Sequence, residues 1–489
     1  MPYITVGKEN SSTASAAADG LAELGVAAAA AAIRNGDISS ESYTSALLQR
    51  AQMYSDLNAF ITIDETAALA AARDADKSRA AGSTAPLLGV PLAIKDSYLT
   101  RGLRTTLGLE ILGHFVPDED ADVVSSIKDA GGIVFGKNNL VEMSYGLTGN
   151  NSHYGQVKNP HNRAHISGGS SSGSGSAVAA QIVPASLGGD TVGSIRVPAS
   201  LCGVVGFKPT TGRWPRNGVA PISHTLDTTG VLARNVEDCA LIDQIVTRDG
   251  ETASGGPSDL RGARFAYAPR QYLDLVEPEI EANFKDTIRR LREAGAEVVE
   301  VDLGEDFSSL AGTATWNIFF HETMEAISEF LRRKNIPASF DEIYNRLKPE
   351  LKDVWGHMVL PSGAGFITPE AYRTVLSVDR PEIQRRFSEA FTSSGAEALL
   401  FPTTPCTAPL IEHQAKFAIA GQEVSYLVLA KHTVPASGAG LPGISIPTGL
   451  SGDGLPIGLE IDGQSGRDRR LLDLARRVEL AVGAMSPLG

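Results

Sequence analysis

Two segments rich in glycine and serine contain residue types that could perform nucleophilic chemistry. Ten consecutive Gly and Ser residues occupy 167–176, and residues 188–198 read G-G-D-T-V-G-S-I-R-V-P. In the second segment Ser194 follows small residues at a predicted turn, where backbone N–H groups beside a hydroxyl could form an oxyanion hole next to a nucleophile. A lone serine at a turn is more often a helix cap, so its neighbours must decide between the two interpretations.

The Gly/Ser run itself has a simpler interpretation as a flexible linker. An apolar stretch at 177–184 follows the run directly, however, and its pattern predicts a buried helix. We therefore expect the run to be ordered backbone inside a folded domain.

A serine nucleophile needs a base, and Lys95 is the best candidate. It follows an apolar stretch at 89–94, and burial there would favour the neutral amine that can accept a proton. The alternative is a structural lysine paired with Asp96 at the end of a strand.

The histidines are poorer candidates for the base. None of the nine lies in a G-x-S-x-G elbow or beside an acidic residue in a pattern that indicates a Ser-His-Asp triad. His153, His161 and His165 cluster in a stretch rich in Asn, Pro and Gly, without an H-E-x-x-H helix. We expect them to be solvated loop residues and predict no metal site.

Short β-branched runs alternate with helical patterns along the chain, which indicates an α/β fold. Residues 21–50 predict two amphipathic helices with a break at 35–37. Further strands are predicted at 89–94, 132–136, 297–301, 398–401 and 443–447, and further helices at 123–130, 280–294 and 469–482.

Composition limits the classes of partner. The 489-residue chain is 42% hydrophobic and 20% charged, which is an ordinary globular composition. A formal net charge of −14 disfavours nucleic acid and anionic membranes, because both require a concentrated positive field. The three cysteines are too widely spaced for a disulfide framework or for the ligand spacing of a zinc site. No targeting or membrane-spanning segment is recognisable. We expect a cytoplasmic protein that acts on a small molecule, without a membrane partner.

Four motifs together resemble the amidase signature family. They are G-V-P-L-A-I-K-D at 89–96, G-G-S-S-S-G-S at 168–174, D-T-V-G-S-I-R-V-P at 190–198 and C-G-V-V-G-F-K-P-T at 202–210. The similarity covers about residues 21–237 in order and spacing, and it resumes at 399–405 and 440–447.

The resemblance implies a Ser-cisSer-Lys amidohydrolase that needs no cofactor. Its nucleophile falls on Ser194, its bridging serine on Ser170 and its base on Lys95. The implied fold is α/β, with a mixed central sheet flanked by helices on both faces. A single domain at 1–489 would comprise a helical part at about 1–85, a signature core at about 86–250, a variable substrate-covering region at about 305–390 and a return to the core at about 395–489.

The sequence departs from the family pattern at two positions. An extra serine, Ser172, stands where the family has glycine, but Ser170 is the first serine after the Gly pair and lies at the family interval, 24 positions before Ser194. Val192 replaces a common glycine, so position 192 must use an ordinary backbone region, since β-branched residues avoid positive φ. We expect the N–H groups of Thr191, Val192, Gly193 and Ser194 to form the oxyanion hole collectively.

The substrate is less constrained by the sequence. Residues 150–155 and 221–228 resemble the indoleacetamide and mandelamide hydrolases of the family, which implies a small aryl or arylalkyl amide, with anilides, esters and carbamates (urethanase activity) chemically accessible. The predicted pocket residues, some of which are equally suited to the core, are Tyr98, Tyr145, Gly146, Arg213, Trp316 and Phe319.

Two other functions stay open at this point. The family includes the glutamine-hydrolysing subunit of the tRNA-dependent amidotransferase, which works only with partner chains, whereas an independent amidase would be a monomer or homodimer. A Gly-rich loop could also bind anions without catalysis. The loop lacks the G-K-[ST] ending of a phosphate-binding loop, and the three predicted catalytic residues are all present.

The extra serine generates a first prediction. We expect Ser170→Ala to abolish most activity because it removes the bridging hydroxyl, while Ser172→Ala and Ser171→Ala retain far more. Steady-state kinetics on the three purified variants would measure this. Equal losses in Ser170→Ala and Ser172→Ala would require the alignment to shift across the run.

Overall fold

An eleven-stranded mixed sheet forms the centre of the molecule. The computed structural model describes residues 20–248 and 258–483. The strands in chain order are β1 (Phe60–Ile63), β2 (Pro91–Lys95), β3 (Ile133–Asn138), β4 (Ala185–Asp190), β5 (Val205–Lys208), β6 (Thr228–Ala233), β7 (Arg264–Tyr267), β8 (Glu297–Glu300), β9 (Ala398–Pro402), β10 (Lys416–Ile419), β11 (Gln422–Ser425), β12 (Gly443–Leu450) and β13 (Pro456–Gly463).

The order across the sheet is β1-β3-β2-β4-β6-β5-β12-β13-β9-β7-β8, and β10 and β11 form a separate ribbon. Strand β2 runs parallel to β3 and β4, and β7 runs parallel to β8 and β9. The other neighbours in the large sheet are antiparallel.

Helices occupy most of the connections between strands. They are α1 (Val26–Asn35), α2 (Ser40–Met53), α3 (Glu65–Ala80), α4 (Asp122–Asp129), α5 (Ser172–Ala179), α6 (Arg196–Cys202), α7 (Val236–Thr247), α8 (Pro269–Tyr272), α9 (Pro278–Glu293), α10 (Phe307–Arg333), α11 (Phe340–Arg346), α12 (Pro349–Met358), α13 (Pro369–Thr374), α14 (Arg380–Ser394), α15 (Val434–Ala439) and α16 (Asp468–Val482).

Both faces of the sheet are covered by helices. Successive strand residues point to opposite faces, and in β9 Leu400 belongs to one hydrophobic cluster while Leu399 and Phe401 belong to another. The first cluster includes residues of α1, α2, α7, α9 and α16, and the second includes residues of α10, α11, α12 and α14. The predicted mixed sheet with helices on both faces is confirmed.

The predicted elements are present with ends shifted by a few residues. The N-terminal helices are α1 and α2, separated by Gly36 in a left-handed conformation (φ 81°). The region at 305–390 forms α10 to α14, which build much of the second cluster. Residues 1–19, 249–257 and 484–489 of the predicted single domain lie outside the described part, and its division into regions stays a prediction. Within the described part, no helix has the length and apolar character needed to cross a membrane.

The Gly/Ser run is ordered and buried, as expected, but the helix after it is shifted. Helix α5 begins inside the run at Ser172 and ends at Ala179, so most of the apolar stretch at 177–184 is not helical. Gln181 has a positive φ of 57° and Pro184 follows, and both disfavour continuing the helix.

Two neighbouring parallel strands end at the same edge of the sheet. Ile94 of β2 pairs with Leu187 of β4. The last residues of these strands are Lys95 and Asp190, and both are buried. The carboxyl ends of adjacent parallel strands form a common edge where sites are built in α/β proteins. The sheet therefore places the predicted base beside the segment that leads to Ser194.

The close approach of α5 to the sheet requires glycine at one position. A Cβ at Gly173 would lie 2.2 Å from the carbonyl oxygen of Ala59 and 2.7 Å from the backbone nitrogen and oxygen of Asn139. We predict that Gly173→Ala lowers the free energy of unfolding by about 2 kcal/mol or more, because backbone must move. The matched control is Gly312→Ala in α10, where no atom lies within 4 Å and a gain of up to about 1 kcal/mol is expected. Urea denaturation would compare them, and equal stabilities would contradict the packing argument.

Candidate active site

Lys95 and Ser170 are in direct contact. Lys95 is 1% exposed, and its Nζ donates a hydrogen bond of 2.8 Å to Oγ of Ser170. The peptide bond between Gly169 and Ser170 is cis, as the resemblance implied. The hydroxyls of Ser171 and Ser172 instead donate to the backbone oxygens of Gly189 (3.2 Å) and Ser170 (3.3 Å). Of the three consecutive serines, the first is therefore the one whose side chain meets the lysine.

Burial changes the protonation of Lys95. Desolvation lowers the pKa of its amine to about 7, although the negative charges of Asp190 and Asp227 act in the opposite direction. An amine with this pKa is neutral in a substantial fraction of molecules at neutral pH. Lys95 can therefore accept a proton under physiological conditions, as a general base must.

Ser194 lies in the turn between β4 and α6, and Asp190 fixes the shape of that turn. The Asp190 carboxylate accepts hydrogen bonds from the N–H groups of Gly193 (2.7 Å) and Ile195 (3.1 Å). The N–H of Ser171 donates to the carbonyl oxygen of Ser194 (3.2 Å), which joins the turn to the Gly/Ser run. Ser194 itself is 5% exposed.

These contacts revise the predicted set of oxyanion donors. The N–H of Gly193 is already donated to Asp190, so we remove this residue from the set. No described residue accepts from the N–H groups of Thr191, Val192 or Ser194, which stay the predicted donors. Val192 has no positive φ, in agreement with the expectation for a β-branched residue.

Thr433 supports the turn from the C-terminal part of the chain. Its hydroxyl donates to the carbonyl oxygen of Val192 at 2.6 Å. Gly193 has a φ of 138°, and a Cβ there would lie 2.3 Å from Oγ1 of Thr433. The turn can therefore hold this conformation only with glycine at position 193.

A buried arginine connects the turn to distant strands. Arg196 contacts Asp190 through Nε (3.0 Å) and Nη2 (3.1 Å), and it also donates to Glu460 (3.2 Å) and Ser437 (2.7 Å). Sequence reasoning did not single out Asp190, Arg196, Thr433 or Glu460. The first two lie within the motif at 190–198, but the others come from segments more than 230 residues away, for which no local pattern exists.

A cavity of about 310 Å³ is lined by Asp190 and by the residues next to it, Gly189 and Thr191. Its lining also includes Lys95 and Ser170, and the loop at 216–224 forms one wall. Helix α10 contributes Ala326, Glu329, Phe330 and Arg333 to the lining. The potentially reactive side chains of Lys95 and Ser170 therefore share this cavity with both apolar and charged side chains.

Three predicted pocket residues lie near the site without lining this cavity. Tyr98 is buried, and its hydroxyl donates to the carbonyl oxygen of Gly188. Tyr145 is 6% exposed and packs edge-on against Phe319 and Trp355. Gly146 touches the Gly/Ser run, since its carbonyl oxygen is 3.0 Å from a Cβ placed on Gly169. Their assignment to the cavity wall is not supported, although their neighbour Ser144 does line it.

The remaining predicted pocket residues lie elsewhere. Arg213 forms a two-pronged ion pair with Asp243, at 3.0 and 2.7 Å, and does not reach the cavity. Phe319 is 5% exposed in the second hydrophobic cluster. Trp316 lines a different cavity of about 240 Å³. Aromatic residues of the variable region therefore pack mainly with one another.

The histidine cluster differs from the expected solvated loop. His161 and His165 are half-buried, and each places a ring nitrogen against a backbone carbonyl oxygen, of Cys202 (3.1 Å) and Ala408 (2.6 Å). His153 is exposed. Among residues 20–248 and 258–483, no group of three His, Cys, Asp or Glu side chains is arranged to hold a metal ion.

Comparison with known proteins identifies the family. A family model described as Amidase matches residues 42–472. The chain belongs to the amidase family. A crystal structure of an amidase superimposes with a TM-score of 0.83 at 27% identity, covering 94% of this chain and all of the other. Enzymes of the family hydrolyse amide C–N bonds, and the Ser-cisSer-Lys triad is characteristic of them.

Three curated relatives match along most of their length. Mandelamide hydrolase of Pseudomonas putida is 36% identical over 475 residues, covering 94% of this chain and 92% of its own. Indoleacetamide hydrolase of Allorhizobium ampelinum is 31% identical, with coverages of 92% and 96%. One subunit of the glutamyl-tRNA(Gln) amidotransferase of Chromohalobacter salexigens is 35% identical, with coverages of 87% and 90%. The resemblance to this family is thus confirmed.

The lowered pKa of Lys95 generates a prediction for the rate of amide hydrolysis. The neutral amine is the active form, so kcat/KM should rise with pH through a midpoint near the lysine pKa of about 7. Lys95→Arg should be inactive across the range, because a guanidinium stays protonated. Profiles from about pH 5 to about pH 10 for both proteins provide the measurement. An active Lys95→Arg enzyme would exclude Lys95 as the base.

Proposed function

We propose that this amidase hydrolyses small aryl or arylalkyl amides through a covalent intermediate on Ser194. The proposal depends most on one observation, the 2.8 Å contact between the buried amine of Lys95 and the hydroxyl of Ser170. A buried lysine with a pKa of about 7 beside a serine is an arrangement suited to proton transfer.

In the proposed mechanism Ser170 relays a proton between Ser194 and Lys95. Neutral Lys95 accepts the Ser170 proton as Ser170 accepts the proton of Ser194, and Ser194 Oγ attacks the amide carbonyl carbon. The free N–H groups of the turn stabilise the oxyanion. The relay then returns the proton to the leaving nitrogen, the C–N bond breaks, and an amine or ammonia departs from the acyl-enzyme. Water attacks the acyl carbon by the same proton path and releases the carboxylic acid and Ser194.

The substrate class is supported by two observations. Two relatives carry the names mandelamide hydrolase and indoleacetamide hydrolase, and both names denote arylalkyl primary amides. The cavity of about 310 Å³ is near the lower end of ligand pocket volumes, which favours compact substrates. Val219, Ile222 and Phe330 supply apolar lining for a ring. Anilides, esters and aryl carbamates present a carbonyl to the same groups, so we include them as secondary substrates.

A second candidate function is glutamine hydrolysis within an amidotransferase. The similarity to a component of the glutamyl-tRNA(Gln) amidotransferase, at 35% identity, favours it. We rank it second because mandelamide hydrolase, at 36% identity over 94% of this chain, is slightly more similar to it. An independent amidase, as a monomer or homodimer, should turn over aryl amides when purified alone. An amidotransferase component should instead release ammonia from glutamine and copurify with partner chains.

The cellular location is also part of the proposal. Cys202, Cys239 and Cys406 are buried and free, and burial raises the pKa of all three thiols. Buried neutral thiols need no oxidising environment. We therefore keep the cytoplasm as the proposed location.

The decisive experiment tests the nucleophile. We expect Ser194→Ala to lose at least about a thousandfold in kcat with little change in melting temperature, because only a hydroxyl is removed. Incubation of wild type with an ester of an aryl acid, followed by acid quench and mass spectrometry, should detect an acyl group on the peptide that contains Ser194.

The matched control is Ser174→Ala, a buried serine of α5 whose hydroxyl makes only a long contact, 3.4 Å, with the carbonyl oxygen of Leu187. It should retain nearly full activity. Turnover of mandelamide, a p-nitroanilide, an aryl carbamate and glutamine by wild type ranks the substrates. Substantial activity in Ser194→Ala would place the nucleophile elsewhere, and turnover of glutamine alone would favour the second candidate.

A further inference from the structure

Asp227, just before β6, contacts two different parts of the cavity lining. Its Oδ1 accepts a hydrogen bond of 2.8 Å from the hydroxyl of Thr191. Its Oδ2 accepts from the N–H groups of Ile222 (2.8 Å) and Ser223 (3.0 Å). One carboxylate therefore joins the turn after β4 to the wall loop at 216–224, and it lines the cavity itself.

The contact with Thr191 constrains a backbone group that matters for catalysis. The N–H of Thr191 is one of the three predicted oxyanion donors, and no described residue accepts from it. A donor stabilises an oxyanion best when its direction is fixed before the reaction, because reorientation then costs nothing. Asp227 anchors the Thr191 side chain, so it restricts rotation of the adjoining peptide group.

Asp227 also contributes charge near the base. The groups around Lys95 are the neutral hydroxyl of Ser170, with which it is in contact, and the carboxylates of Asp190 and Asp227, which line the same cavity. Asp190 is paired with the Arg196 guanidinium at 3.0 and 3.1 Å. The cation nearest in sequence on the wall loop, Arg216, donates to the backbone oxygens of His224 and Asp227 and makes no hydrogen bond to the Asp227 carboxylate.

Unlike Asp190, Asp227 makes no direct ion pair with a cation among the described residues. Burial raises its pKa, and the backbone N–H groups, the Thr191 hydroxyl and the charge of Arg216 offset only part of this rise. Its three donors are of the kind that stabilise an ionised carboxylate.

We propose that Asp227 is a positioning residue for amide hydrolysis: it holds Thr191 and the cavity wall in place and, together with Asp190, supplies negative charge near Lys95. The inference rests on the proposed Ser194 mechanism. It assigns Asp227 no contact with the reacting atoms, so its effects must appear in kcat and in the pH profile.

The test compares three variants by kcat, KM and the pH dependence of kcat/KM on one aryl amide. Asp227→Asn should lower kcat at least about tenfold and move the acidic midpoint to lower pH by about half a unit or more, because loss of a nearby anion favours the neutral amine. Thr191→Val keeps that anion but loses the hydroxyl, so it should lower kcat with an unchanged midpoint. Thr191→Ser restores the hydroxyl and should return kcat to within about threefold of wild type.

Each outcome decides a part of the proposal. An unmoved midpoint in folded Asp227→Asn overturns the charge role, and wild-type kcat in Thr191→Val overturns the positioning role. If Asp227→Asn does not fold, as judged by circular dichroism, Asp227→Glu takes its place. That variant keeps the charge and should lower kcat without moving the midpoint, and a moved midpoint would contradict us. An inactive wild type would refute the proposed function, whereas an active wild type with unaffected variants would refute only this inference.

Discussion

The buried ion pair between Asp190 and Arg196 is the interaction on which the rest of the site depends. Removing two charges from water costs several kcal/mol per ion, and a buried pair is tolerable only when its other hydrogen-bonding groups are occupied. Here the carboxylate also accepts two backbone N–H groups of the turn, and the guanidinium also donates to Glu460, Ser437 and the backbone oxygen of Thr433. The backbone N–H groups of the turn satisfy the remaining acceptor sites of Asp190. In return, these hydrogen bonds to the paired carboxylate fix the shape of the turn.

The same low-polarity surroundings act on Lys95 in the opposite sense. Within the described part of the chain no carboxylate lies at hydrogen-bonding distance from its amine, and its polar partner is the Ser170 hydroxyl, so burial penalises its charged form. The two buried cations near the serine turn thus differ: the Arg196 guanidinium stays charged because it is paired with a carboxylate, and the Lys95 amine can lose its proton because it is not. The position of the Asp190 carboxylate, in contact with Arg196 and not with Lys95, therefore makes the arginine structural and leaves the lysine able to exchange protons.

The sequence predicted the parts of this site that lie in short, ordered motifs. Local patterns made Ser194 and Lys95 candidates and indicated an α/β fold. The resemblance of the motifs to one family then assigned the three roles, added Ser170 and implied the mixed sheet with helices on both faces. The pocket could not be predicted, because residues such as Arg213 and Phe319 were judged by type, while their contacts depend on partners from other segments. The helix after the Gly/Ser run was predicted too far along the chain. Its first turn contains glycine and serine, which have low helix propensity, because close packing at Gly173 leaves no room for a side chain.

The contact of Thr433 with the turn at 190–195 has a consequence for folding during synthesis. The hydroxyl that braces Val192 lies 241 residues further along the chain, and the carboxylate that completes the Arg196 contacts lies further still. During synthesis the N-terminal strands, the Gly/Ser run and the serine turn leave the ribosome first. A chain that ends before these residues therefore carries Lys95, Ser170 and Ser194 without the contacts that hold the turn. We therefore expect the serine turn to reach its final shape only after residues 433–460 have left the ribosome.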